Sequence, residues 1–112
     1  MALQRLKNFK IYNKYGEVEF LEEMNTLGLD IDSIVRIEHK NVQFLDKDAI
    51  ANRYGFNKPV KVTMKEFEVS NKSEDEARTL ILRMLHRISA DFIDYDFKNK
   101  ILVYRFNVSI IY

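Results

Sequence analysis

The sequence predicts an α+β fold: a mostly antiparallel β-sheet, or a two-layer β-sandwich, with one amphipathic helix packed on it. Three observations predict it. Short alternating segments recur along the chain and are separated by turn residues. One stretch, 73–89, repeats its apolar residues at helical spacing. The run at 101–112, ILVYRFNVSIIY, is long, β-branched and aromatic. The 112 residues fit a single binding domain spanning 1–112.

The elements follow in order. FKIY at 9–12 and EVEFL at 17–21 read as two strands, joined by Asn13-Lys14-Tyr15-Gly16, whose Asn and Gly tolerate positive φ. The hairpin is followed by a break at Leu27-Gly28-Leu29-Asp30. SIVRIE at 33–38 alternates, with Ile34 and Arg36 on one side and Val35 and Ile37 on the other; NVQFL at 41–45 completes a second hairpin or a bent strand. A short helical turn is expected near 46–55, capped by Asp46 or Asp48 and ended by Gly55 in the left-handed region. PVKVTMKEF at 59–67 is a strand with Val60, Val62 and Met64 facing one way; Pro59 is tolerated at its start.

Ser73 stands three residues before Glu76, the spacing of a capping box. Glu74, Asp75 and Glu76 suit the positive end of a helix dipole, and Arg83, His86 and Arg87 suit the negative end. Ala77, Leu80, Ile81, Met84, Leu85 and Ile88 form the apolar face, which needs a sheet to cover it. FIDYD at 92–96 and the last run then flank the turn 97–100. In the last strand Leu102, Tyr104, Phe106, Val108, Ile110 and Tyr112 share an apolar face, so it belongs inside the sheet or under the helix.

Composition narrows the function. Hydrophobic residues at 46% and charged residues at 31% mark a globular chain. A formal net charge of +1 gives no overall pull toward nucleic acid. The absence of Cys excludes disulfides and thiolate metal sites and fits a reducing compartment. No apolar run is long enough for a signal peptide or a membrane span, so an intracellular protein is expected. GxGxxG, Walker and GxSxG patterns are missing. His39 and His86 lie on different elements without ligand spacing, so no metal and no cofactor is expected. Glu22-Glu23 and Glu74-Asp75-Glu76 offer carboxylates, the second set explained by the helix dipole. Lys58, Lys61 and Lys65 are read as sharing one strand face near Arg36 and Lys40, while Arg78, Arg83 and Arg87 decorate the helix. Such stripes suit either a solvated face or contacts to phosphates.

A longer pattern adds to this reading. In order come Tyr15-Gly16 and Phe20; Leu29, Asp32, Ile34, Val35 and Ile37; Val42; Gly55-Phe56-Asn57; Val62-Thr63-Met64; an amphipathic helix; Phe92 and Tyr95; and Val103, Phe106, Val108 and Ser109. This series resembles the C-terminal autoproteolytic domain of the FG-repeat nucleoporins, from about Phe9 onward. The resemblance implies a domain that anchors a nucleoporin to the pore scaffold through other proteins. Two departures qualify it. The family's extra strands and helix before the stretch matching Phe9 have no counterpart, and no FG repeats are present to form a barrier. The family also cleaves itself at His-Phe-Ser, where Ser is the nucleophile and His assists. Here Ile110, Ile111 and Tyr112 take those places, and on this reading no peptide bond beyond Tyr112 is left to release a partner. An acyl shift needs an activated nucleophile beside a base, so the site is expected to be dead and the chain not an enzyme.

The expected function is therefore non-catalytic docking to a protein partner in a large assembly, at the nuclear pore or in the cytoplasm. Neither a membrane nor a small-molecule substrate is involved. The candidate contacts are Ile110, Ile111, Tyr112, Lys61, Lys65, Arg83 and Arg87. A second reading is a free-standing factor that occupies a functional cleft of a ribonucleoprotein such as the ribosome, touching ribosomal proteins or rRNA. A third is a self-cleaving peptidase.

Overall fold

The computed structural model describes residues 5–26, 28, 30, 34–54, 58–69 and 72–108. The elements are β1 (Arg5–Leu6), β2 (Phe9–Asn13), β3 (Gly16–Phe20), β4 (Met24–Asn25), β5 (Val35–Glu38), β6 (Asn41–Phe44), α1 (Lys47–Arg53), β7 (Lys58–Met64), α2 (Glu74–Arg87), β8 (Asp91–Asp96) and β9 (Ile101–Val108). Five strands form one antiparallel sheet in the order β2-β3-β7-β9-β8; β1 pairs with β4 and β5 with β6. The α+β prediction is the fold observed.

Register sorts the sheet into two faces, because side chains alternate along each strand. Phe9, Phe20, Val60 and Phe106 stand in one cross-strand row. Ile11, Val18, Val62, Tyr104 and Phe92 stand in the next, and Met64, Leu102 and Tyr95 in a third. These rows join Ala77, Ile81 and Leu85 of α2, Ile37 of β5 and Ile50 of α1 in one buried cluster. Each large apolar side chain buried there contributes about 1.5–3 kcal/mol before entropy is counted. The hairpin β5–β6 reaches the same face: the Phe44 and Phe106 rings meet edge-on, centroids 5.4 Å apart. β9 lies inside the sheet between β7 and β8, as its apolar face required.

Local signals act as expected at the helix starts. Ser73 Oγ accepts from the Glu76 N–H, and Glu76 reaches back to the Ser73 N–H, closing the capping box. Asp46 caps α1 by accepting from Ala49 N at 3.0 Å. The proposed Gly55 stop lies outside the described residues, as do positions 109–112 of the predicted last strand.

Four expectations change. Gly16 does not supply positive φ to the first turn. Its role is close approach: a Cβ there would run into the Thr63 carbonyl oxygen of β7. Asn13 acts through its side chain, whose Oδ1 accepts from Tyr15 N at 2.8 Å and whose Nδ2 donates to the Ile37 carbonyl at 2.8 Å. Ile34 precedes β5 and escapes its alternation, so it is buried together with Val35 and Ile37. Leu80 and Ile88 of the supposed helix face are 40% and 50% exposed, because only the Ala77–Ile81–Leu85 stripe meets the sheet fully.

Candidate docking surfaces

The face of the sheet opposite the core is charged and open. One row runs Lys10, Glu19, Lys61, Arg105, Asp91, and the next runs Tyr12, Glu17, Thr63, Val103, Asp94. Every one of these side chains is half-buried or exposed. The first row alternates in sign except at Lys61 and Arg105, which neighbour each other. Lys10 and Glu17 approach to 3.9 Å at the surface. Neighbours of opposite charge across strands support the sheet modestly.

The predicted basic contacts do not form one surface. Lys61 lies on the open sheet face, and Lys65 follows β7 in the same register, its N–H bonding the Tyr15 carbonyl at 2.8 Å. Arg83 and Arg87 are exposed on α2, which packs against the other, buried face. Lys58 does not share the pleat of Lys61, because the two stand three positions apart and side chains repeat every two; it pairs with Glu22 at 3.1 Å. Arg36 and Lys40 belong to the separate β5–β6 hairpin, and the Lys40 ammonium lies 5.8 Å from the Phe67 ring centroid. Arg78 is occupied: its guanidinium donates to the Tyr95 carbonyl at 3.0 Å and lies over the Phe92 ring. Ile110, Ile111 and Tyr112 lie outside the described residues.

The outer side of α2 is the second surface. A cleft of about 300 Å³ is bordered by Lys72, Asp75, Glu76, Thr79, Leu80 and Arg83. Glu76 is held below the usual carboxylate range by the Ser73 backbone N–H first and the Ser73 hydroxyl second. Its carboxylate thus closes the helix cap.

The two histidines lie on different elements. His39 Nε2 donates to the Glu66 carbonyl at 3.0 Å, and its ring lies 5.9 Å from that of Tyr15. His86 is exposed in the last turn of α2. Among the described residues no His, Cys, Asp and Glu side chains cluster to hold a metal ion, and no helix is long and apolar enough to cross a membrane.

Two tyrosines anchor distant segments through partners that no local pattern names. Tyr54 OH donates to the Pro59 carbonyl and accepts from Glu22 N at 3.1 Å, tying α1 to the sheet. Tyr95 OH donates to the Phe67 carbonyl at 2.7 Å. Burial raises the pKa of both phenols, and pushes that of Tyr104 up to about 12.

The two sheet edges differ. β8 carries Asp91, Asp94 and Asp96, shifts register between Phe92 and Asp94, and has its Tyr95 carbonyl covered by Arg78. β2 pairs with β3 over all five residues without a shift.

Known proteins match this architecture. A solved Chaetomium thermophilum Nup145N APD, in a mutant fused to Nup145C N, superposes with a TM-score of 0.75 at 18% identity, covering 97% of this chain and 83% of that one. A chain of the yeast heterotrimeric Nup82-Nup159-Nup116 nucleoporin complex superposes with a TM-score of 0.70 at 19% identity, covering 91% of this chain and 81% of that one. At these identities the likeness concerns the fold. No curated protein matches in sequence. The family described as Nucleoporin2: Nup98-96 autopeptidase S59 matches residues 1–109, and the chain belongs to that family.

Proposed function

We propose that this chain is a docking domain of the nucleoporin autopeptidase family that has lost its cleavage chemistry. The observation that carries the reading is Ile110-Ile111-Tyr112, directly after Val108-Ser109, in place of the family's His-Phe-Ser. Ile110 has no proton-accepting atom. Tyr112 offers a phenol in place of the serine hydroxyl. Without a base beside an aliphatic hydroxyl, the acyl shift has no route. Elsewhere, His39 spends its Nε2 on a backbone carbonyl and Ser73 caps a helix, so neither supplies the missing pair.

What remains is a fold with two exposed surfaces. The solved relatives come from a fusion with Nup145C N and from a heterotrimer of nucleoporins, which supports a protein partner in a pore assembly. Lys61 and Lys65 on one surface, Arg83 and Arg87 on the other, and the segment Ile110-Ile111-Tyr112 are the candidate contacts. An apolar segment ending in an aromatic suits a binding hot spot.

Affinity capture from nuclei of the native cell, read by mass spectrometry, tests the reading. Co-purification of pore-scaffold proteins is expected. Recovery of ribosomal proteins without any pore component would replace it with the ribosome-bound factor. Deleting 110–112 should weaken capture while leaving the thermal transition in place; unchanged capture would remove the segment from the interface.

A further inference from the structure

We propose that the outer edge of β2 is a strand-addition site for an extended, acidic segment of a partner protein. The inference rests on the docking reading above and names where and how such docking occurs.

The backbone argument comes from register. Leu21 N donates to the Pro59 carbonyl and Lys65 N to the Tyr15 carbonyl, so the odd-numbered residues of this part of the chain bond toward β7. Antiparallel strands alternate their bonding side at every residue. Gly16, Val18 and Phe20 therefore bond toward β2, to Asn13, Ile11 and Phe9. That leaves the N–H and C=O groups of Lys10 and Tyr12 pointing away from the sheet. Among the described residues no neighbouring strand takes them, since β2 ends the strand order. The edge has no bulge in its pairing with β3 and no proline, two devices that normally blunt an edge.

Side chains define the partner. Tyr12 is 75% exposed, the most exposed large apolar side chain among the described residues. The first sixteen residues contain Arg5, Lys7, Lys10 and Lys14 and no acid. A second copy of β2 would set like charges side by side, which disfavours self-pairing. An acidic side chain opposite Lys10 would instead continue the row that already runs Lys10, Glu19, Lys61. On the other face an apolar side chain would extend the row of Ile11 and Val18. The segment that fits alternates acidic and apolar residues, with main-chain bonds giving affinity and alternate side chains giving selectivity.

A capped seven-residue peptide of alternating glutamate and valine is the probe, with backbone hydrogen exchange read by NMR on the full chain. At saturation the Lys10 and Tyr12 amides should exchange at least about tenfold more slowly. The same peptide N-methylated on its bonding edge, or with lysine for glutamate, should give no protection. Lys10→Glu should weaken peptide binding at least about tenfold. No binding, binding without protection at Lys10 and Tyr12, or equal protection by the lysine peptide would overturn the proposal. The N-methylated control needs no variant to fold. If pore-scaffold proteins are captured equally by the native and Lys10→Glu chains, docking stands and the edge falls. If neither captures them, docking falls and the exchange measurement alone judges the edge.

Discussion

The five-stranded sheet ends in two ways. At β8 the edge is closed: a register shift at Ile93 breaks its flatness, three aspartates line it, and Arg78 from α2 occupies the Tyr95 carbonyl. At β2 the edge is regularly paired with β3 over five residues, basic, and among the described residues unpaired on its outer side. An unpaired edge invites pairing, so proteins usually close both. A fold that closes one and leaves the other open has a direction in which it can accept a partner strand. The chemistry of the two ends differs as well, acidic at β8 and basic at β2.

Substitutions can break or sharpen that contrast. The largest effect is expected from Leu102→Ala. Leu102 is fully buried on β9, between Met64 and Tyr95. Its loss leaves a cavity on the closed side of the sheet and should cost about 2–5 kcal/mol in urea unfolding. Arg78→Ala comes next. It frees the Tyr95 carbonyl and uncovers the Phe92 ring, and removal of a charged hydrogen bond should cost about 1.5–3 kcal/mol. It should also convert β8 into a second open edge, visible as faster exchange of β8 amides.

Ser73→Ala removes the capping acceptor and should cost about 1 kcal/mol at neutral pH. This effect depends on pH. Glu76 has its folded pKa lowered from 4.5, so the stability it contributes is present above the unfolded value and is lost as pH falls through the folded one. The difference between native and Ser73→Ala chains should therefore narrow in acid, below the ordinary carboxylate pKa. The smallest effect is expected from Lys10→Gln, which adds no like charge opposite Glu19. Lys10 is exposed and its ion pair with Glu17 is long, so stability should stay within about 0.5 kcal/mol of native by the same unfolding measurement. A large loss there would mean that the β2 edge carries structural interactions and is not free.

Much of this architecture was legible locally. The capping box at Ser73 and Glu76 and the alternation of β9 each depend on neighbours in sequence, and the structure has both. What depended on distant segments was not legible. Gly16 was assigned to turn geometry, whereas it yields space to a β7 carbonyl 47 residues away in sequence. Lys58 reads along the strand with Lys61 and Lys65, although its parity puts it on the other pleat. Leu80 and Ile88 matched helical spacing but fall beyond the reach of the sheet. The tyrosine anchors at Tyr54 and Tyr95 depend on where Pro59 and Phe67 end up. Among the candidate contacts, sequence assigns Lys61 and Lys65 to a strand and Arg83 and Arg87 to the helix, but that the helix lies on the face opposite Lys61 follows only from the packing. The outward groups of Lys10 and Tyr12 follow only once the strand order is known.

The central claim is docking without self-cleavage, and intact-mass measurement of the chain expressed with an extension beyond Tyr112 tests it most directly. A single species at the full mass of chain plus extension is predicted after prolonged incubation. Release of the extension by cleavage between Ile111 and Tyr112 would contradict the account.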